Sequence, residues 1–273
     1  MHTDKPIHFQ REGIHAYTLD PGALAFLDHG LTPGKWFDAN VSRLKEGPGK
    51  SSGLVSAPGG KTCFVKRFYV KFFWQKALYA LGRNQALRIF HLSRDMLKAG
   101  INVPAPLAVV SDIRDKPAAI YYISEALLHA RTLKKTAAVI KEASQRRNLL
   151  EKLAGIIAEM HKAGFYHGDM KWKNIMISPG PESAACFIDL DAAGRLSSLK
   201  DRRYALDLSR FCVDIYETLL SPELINTFIL AYSSSTGRDP DKIVQHIRPY
   251  HRKRASKHKI KKNSSVPPID FIT

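Results

Sequence analysis

The sequence predicts an α+β chain in two lobes, strands first and helices second, and three observations carry that prediction. Short β-like runs recur between Val41 and Ile123. From Leu149 onward the apolar residues fall at helical spacing instead. Between the two lies a short connection, Ser124-Glu125-Ala126-Leu127, where composition changes. The 273 residues, with 44% hydrophobic and 25% charged side chains, suffice for one large core or two lobes. We divide the chain into a leader (1–39), a strand-rich lobe (40–127) and a helical lobe (128–273) ending in a basic tail (247–273).

The leader shows turn signals at Asp20-Pro21-Gly22 and Thr32-Pro33-Gly34 and little other pattern. Three strands follow: Val41 to Leu44, Leu54 to Ser56, and Thr62 to Phe68 after a Gly59-Gly60 turn. The first two are joined by Glu46-Gly47-Pro48-Gly49-Lys50-Ser51-Ser52-Gly53, a glycine-bearing hairpin suited to laying backbone amides, that of Gly49 among them, over phosphates. Its Gly-Lys-Ser is not a P-loop, because Leu44 stands where the leading glycine belongs and strand rather than helix follows. Lys71 to Arg83 reads as a basic amphipathic helix with Trp74, Leu78 and Leu81 on one face; packing on the small lobe is favoured over lying on a membrane surface. Ala86 to Lys98 reads as a helix stopped by Gly100. Leu107–Val110 and Ala119–Ile123 form a hairpin. In the second lobe Leu149, Leu150, Leu153, Ile156, Ile157 and Met160 make one helical stripe, a further helix runs through Leu220, and Ser221-Pro222 opens another.

Composition excludes several classes. Collagen, coiled-coil and low-complexity patterns are missing, no apolar run reaches membrane-span length, and Met1 to Pro6 lacks a secretory layout, so a cytoplasmic protein is expected. Cys63, Cys186 and Cys212 are odd in number and unpatterned, which argues against a disulfide framework or zinc site and for packing roles. The formal net charge of +17 implies an anionic partner. The run His251 to Lys262 holds no aromatic residue, which argues against a single-strand nucleic-acid groove and leaves a solvated tail or a polybasic anchor on an anionic membrane surface.

The chemistry is concentrated in His167-Gly168-Asp169-Met170-Lys171-Trp172-Lys173-Asn174 and, a strand-turn later, Phe187-Ile188-Asp189-Leu190-Asp191. Phosphoryl transfer to a hydroxyl needs a carboxylate base, a cation for the phosphoryl oxygens and oxygen ligands for Mg²⁺. Asp169 suits the first role, Lys171 the second, and Asn174 with Asp189 the third. Lys66, on the third strand, is the candidate for the α- and β-phosphates of ATP, and the backbone from Glu125 to Leu127 for reading adenine. One departure stands out: the chain has no Glu between Lys66 and Glu125, so the helix carboxylate that usually holds such a lysine is missing, leaving Asp95 or Gln85 as substitutes.

These motifs resemble the bacterial lipopolysaccharide core kinase family. The resemblance rests on Val65-Lys66-Arg67-Phe68, the Gly100 to Pro106 connector, Tyr122-Ile123-Ser124-Glu125, Gly164 to Lys171 and Phe187 to Asp191, and spans Val41 to Leu220. It implies a two-lobed protein-kinase-like fold, ATP and Mg²⁺ as cofactors, and a Kdo or heptose hydroxyl of a lipid-linked anionic glycan as acceptor, at the inner face of a membrane. Gly168, where many protein kinases place Arg, removes the usual partner of an activation-loop phosphate. Two other readings stay open. Aminoglycoside- and choline-type phosphotransferases share the Asp-to-Asn spacing and a later Asp207-Leu208, and a non-catalytic pseudokinase binding anionic partners would account for the missing Glu.

Overall fold

The computed structural model describes residues 6–11, 13–19, 21–29, 32–56, 60–70, 84–112, 118–179, 184–197 and 202–262, without the side chains of Arg11, Phe26, Asp28, His29, Arg43 and 255–262. The expected amphipathic helix at Lys71 to Arg83 and part of the Gly59-Gly60 turn lie outside the described residues. The chain divides into two compact units, residues 1–98 with 104–128, and residues 99–103 with 129–273.

The first unit is built on a seven-stranded antiparallel sheet of order β1-β2-β6-β7-β5-β4-β3. Its strands are β1 (Ile7–Arg11), β2 (Ile14–Thr18), β3 (Val41–Gly47), β4 (Lys50–Ser56), β5 (Thr62–Tyr69), β6 (Pro106–Asp112) and β7 (Ala119–Glu125). The described residues from 7 to 39, read from sequence as part of a leader (1–39) outside the lobe, belong to it. They supply β1 and β2, a 3-10 segment (Pro21–His29) and helix α1 (Pro33–Asn40). The helix begins where Thr32 caps the Lys35 N–H and Pro33 takes the first turn.

Strand alternation sorts the sheet into two faces. Ile14, Ala16, Val55, Cys63, Val65, Val110, Tyr121 and Ile123 meet Trp36 and Phe37 of α1 on one face. Arg67 locks that contact: its guanidinium lies 4.6 Å from the Phe37 ring centroid and donates to Ser51 Oγ at 3.0 Å and Asp38 Oδ1 at 2.8 Å. On the other face packs α2 (Gln85–Lys98), tied to β7 by the Ser93 and Tyr122 hydroxyls at 3.3 Å. Lys66 is paired across the strands with Tyr122, so it shares the α2 face.

The second unit holds α3 (Leu133–Ala138), α4 (Ala143–Lys162), α5 (Arg203–Leu219), α6 (Glu223–Thr236) and α7 (Pro240–Lys262), with the short strands β8 (Arg131–Thr132), β9 (Phe165–Tyr166), β10 (Ile175–Ile177), β11 (Ala185–Phe187) and β12 (Gly194–Arg195). The α4 stripe is buried at Leu150, Leu153, Ile157 and Met160, against α6. The basic tail is reassigned in its first part: it is helix α7, packed on α5 and α6 through buried Ile243, Val244, Ile247 and His251. An Asp239 cap on the Lys242 N–H, followed by Pro240, starts it. All three cysteines are buried and none is in a disulfide, which suits packing residues.

Candidate active site

The motif loop follows α4 and the two-residue strand β9, which pairs with β12. Its backbone is suspended from two acids of α5. Asp207 accepts the His167 N–H at 2.6 Å and the Gly168 N–H at 2.7 Å, and Asp214, two turns on, accepts the Trp172 N–H at 2.6 Å. Asp207 is fully buried and also faces His161 Nε2 at 3.4 Å, whose Nδ1 meets the Tyr232 hydroxyl at 2.8 Å. Burial pushes the Asp214 carboxyl above its ordinary range, although the Trp172 N–H and the Arg210 charge oppose that shift. The part Asp207 and Asp214 play in holding this loop is not read from the sequence. The available signal is two acids seven apart on one face of a helix whose other buried residues are mostly apolar, where each carboxylate must find donors.

His167 joins the two halves of the motif. Its Nε2 meets Ile188 O at 3.0 Å and its Nδ1 accepts the Asp169 N–H at 3.3 Å, which assigns the ring proton to Nε2. Gly168 sits at φ 77°, and a Cβ there would lie 2.3 Å from Ala192 O. Only glycine allows that approach.

Three of the predicted residues converge. Asp169 Oδ2 receives Lys171 Nζ at 2.5 Å and Asn174 Nδ2 at 3.3 Å, while the same amide donates to Asp169 O at 2.9 Å. Asp169 Oδ1 is the less engaged oxygen: it faces Arg210 Nε at 3.8 Å, too far for a hydrogen bond. Among the described residues the carboxylate therefore has one oxygen held by hydrogen bonds and one that is not.

Asn174 and Asp189 are brought together by the β10–β11 pairing, in which Ile175 faces Phe187 and the Ile188 N–H donates to Asn174 O at 2.9 Å. Asp189 adopts a left-handed conformation at φ 61°, a strained state for a residue other than glycine. The amide nitrogen of Asn174 is turned to Asp169, so its amide oxygen points elsewhere, and Asp189 is an exposed carboxylate. One amide oxygen and one carboxylate are a donor set that suits Mg²⁺, a hard ion which takes few protein ligands. Among the described residues no group of three or more His, Cys, Asp or Glu could hold a metal.

Lys66, Gly49, Glu125 and Leu127 belong to the first unit. Lys66 is 8% exposed, with its ammonium 5.6 Å from the Phe68 ring centroid. Gly49, at φ 75°, closes the β3–β4 turn. Glu125 ends β7 with its N–H on Ala105 O at 2.9 Å, and Leu127 follows three residues after Ser124 in the connection that closes this unit.

An antiparallel sheet followed by a helical unit, with an Asp-Lys-Asn loop and a second Asp on a neighbouring hairpin, defines a protein of the kinase-like class. Residues 35–232 match the model of the Lipopolysaccharide kinase (Kdo/WaaP) family, and the chain belongs to that family. A 3-deoxy-D-manno-octulosonic acid kinase of Xanthomonas campestris pv. campestris (strain B100) is 28% identical over 180 residues, 62% of this chain and 68% of that protein. One of Vibrio vulnificus (strain YJ016) is 29% identical over 102 residues, 37% of this chain. The match spans 41% of the Vibrio protein's length. Among solved structures, WaaP in complex with acyl carrier protein superposes with a TM-score of 0.61 at 18% identity, covering 86% of this chain and 95% of that one. That likeness is one of fold.

Proposed function

We propose that this protein transfers the γ-phosphoryl group of ATP to a sugar hydroxyl of the lipopolysaccharide inner core, a Kdo or heptose unit on a lipid-linked glycan. The observation that carries the proposal is the asymmetric setting of Asp169, with Oδ2 held by Lys171 and Asn174 and Oδ1 open. The family membership and the relatives that act on 3-deoxy-D-manno-octulosonic acid support the acceptor class.

In this reading the acceptor hydroxyl donates to Asp169 Oδ1. As its oxygen bonds the γ-phosphorus and the bond from that phosphorus to the bridging oxygen of ADP breaks, the hydroxyl proton passes to Asp169. Lys171 carries positive charge toward the phosphoryl oxygens. Asn174 and Asp189 would hold Mg²⁺, which would neutralise phosphate charge when bound. Lys66 and the Gly49 amide serve the phosphates, and the Glu125 to Leu127 backbone serves the adenine. The +17 charge favours work at an anionic membrane surface.

The test is purified protein with MgATP and a Kdo-bearing lipid acceptor, read by mass spectrometry for the gain of one phosphate, beside aminoglycoside, choline and generic protein acceptors. Wild type phosphorylates the core acceptor, and Asp169→Asn lowers the rate by roughly 100- to 10,000-fold. Transfer confined to the other acceptors, or full activity in Asp169→Asn, overturns the proposal.

A further inference from the structure

We propose that Arg210 and Arg254 form a subsite for a carboxylate of the acceptor, beside the hydroxyl that Asp169 activates. The inference rests on the phosphotransfer reading above and names what else that acceptor must carry.

Asp207, Arg210 and Asp214 stand at helical spacing on one face of α5. The two acids are committed to backbone N–H groups of the motif loop. Arg210 is not committed in this way. Its side chain is 19% exposed, its Nε is buried without a hydrogen-bond partner, and that Nε lies 3.8 Å from Asp169 Oδ1. A hydroxyl bound on Oδ1 would therefore have its neighbouring substituents beside a guanidinium with unused donors. A guanidinium fork matches a carboxylate in shape and charge.

Arg254 supplies a second cation from a different element. It follows buried Ile247 and His251 at helical spacing along α7, so it lies on the face packed toward α5 and not on the solvent side. It is within electrostatic reach of Arg210 and of Asp169, Asp207 and Asp214. Burial holds its guanidinium below the ordinary range, the like charge of Arg210 acts the same way, and the three carboxylates oppose. Two guanidinium groups on packed helices, one of them with a buried Nε that has no hydrogen-bond partner, gain from an added anion. A sugar acid offers that anion on the same molecule as the hydroxyl.

The experiment compares two acceptors, a Kdo-bearing glycolipid and the same glycolipid with its carboxyl reduced to an alcohol. For wild type, kcat/KM should favour the acid by roughly 10- to 100-fold, the range of a charge-assisted hydrogen-bonded pair. In Arg254→Ala and Arg210→Ala the preference should shrink to about threefold or less, chiefly through acceptor KM, with KM for ATP unmoved. Arg210→Lys should keep an intermediate preference, because charge remains and the fork is lost. If Arg210→Ala does not fold, Arg254→Ala carries the comparison. Variants that lose activity equally on both acceptors would assign both arginines to holding the loop, and a raised KM for ATP with the acceptor preference intact would assign them to the nucleotide. Either result overturns the subsite. A wild type that prefers neither acceptor overturns it as well, whereas a wild type that phosphorylates neither overturns the phosphotransfer reading itself.

Discussion

At Gly168 one missing methyl group decides whether the motif loop can form. The residue combines φ 77° with a backbone approach that would put a Cβ 2.3 Å from Ala192 O. Gly168→Ala must therefore move either the loop or the 3-10 turn that carries Asp191. We expect a stability loss of about 1–3 kcal/mol by urea denaturation. Transferase activity should fall by about 100-fold, since a shift near 1 Å at a reacting group has that effect. A variant as stable and active as wild type would show that the contact is softer than its geometry. The same glycine explains a departure read in the sequence. Where other kinases use Arg to take an activation-loop phosphate, this chain needs the space for backbone.

Helix α7 shows how an element can hide behind its charge. Its composition is that of a basic tail, yet Ile243, Val244, Ile247 and His251 are buried and recur at helical spacing. Hydrophobic burial of that stripe on α5 and α6 overrides the cost of Pro249 within the helix. Ile247→Ala should lower stability by about 2–5 kcal/mol, the range for deleting a buried branched side chain. The denaturation midpoint should fall with the m-value unchanged. A loss below about 0.5 kcal/mol, the size of a surface substitution, would return α7 to the status of a surface tail. On the first unit α1 plays the comparable part, fixed to the sheet by Arg67 between Phe37, Ser51 and Asp38.

For the molecule as a whole, charge governs two expected behaviours. Burial raises the Asp214 carboxyl above its unfolded value of 3.8, so between that value and the raised folded one the native state binds more protons than the unfolded chain. Stability therefore falls as pH rises through this window. Asp214→Asn removes the titration while keeping an oxygen for the Trp172 N–H. Its stability relative to wild type, measured in urea, should improve from pH 4 toward pH 7, and a pH-independent difference would contradict the assignment. The +17 net charge predicts co-sedimentation with anionic but not neutral vesicles. That binding should be lost as salt is raised from about 0.1 M to about 0.5 M, where the screening length shortens. Binding that survives high salt would point to apolar insertion instead.

The sequence by itself determined the strands-then-helices order between Val41 and Leu220, the stop at Gly100, the β6–β7 hairpin and the Asp169-Lys171-Asn174 loop, because all of these rest on local spacing. A hairpin of fixed length brings Asn174 beside Asp189 whatever surrounds it. Family membership follows the same local motifs, and its match begins at residue 35, close to where the strands become legible. Tertiary structure alone decided the rest. Strands β1 and β2 are recognisable only because β2 pairs with β6, almost a hundred residues away, and β1 pairs with β2. Asp207 and Asp214 become loop holders, and Arg210 comes within 3.8 Å of Asp169, only when α5 packs beside the motif loop, and Arg254 joins that side only when α7 packs on α5. Local periodicity records which side of a helix is buried, but it does not record which donors and acceptors meet there.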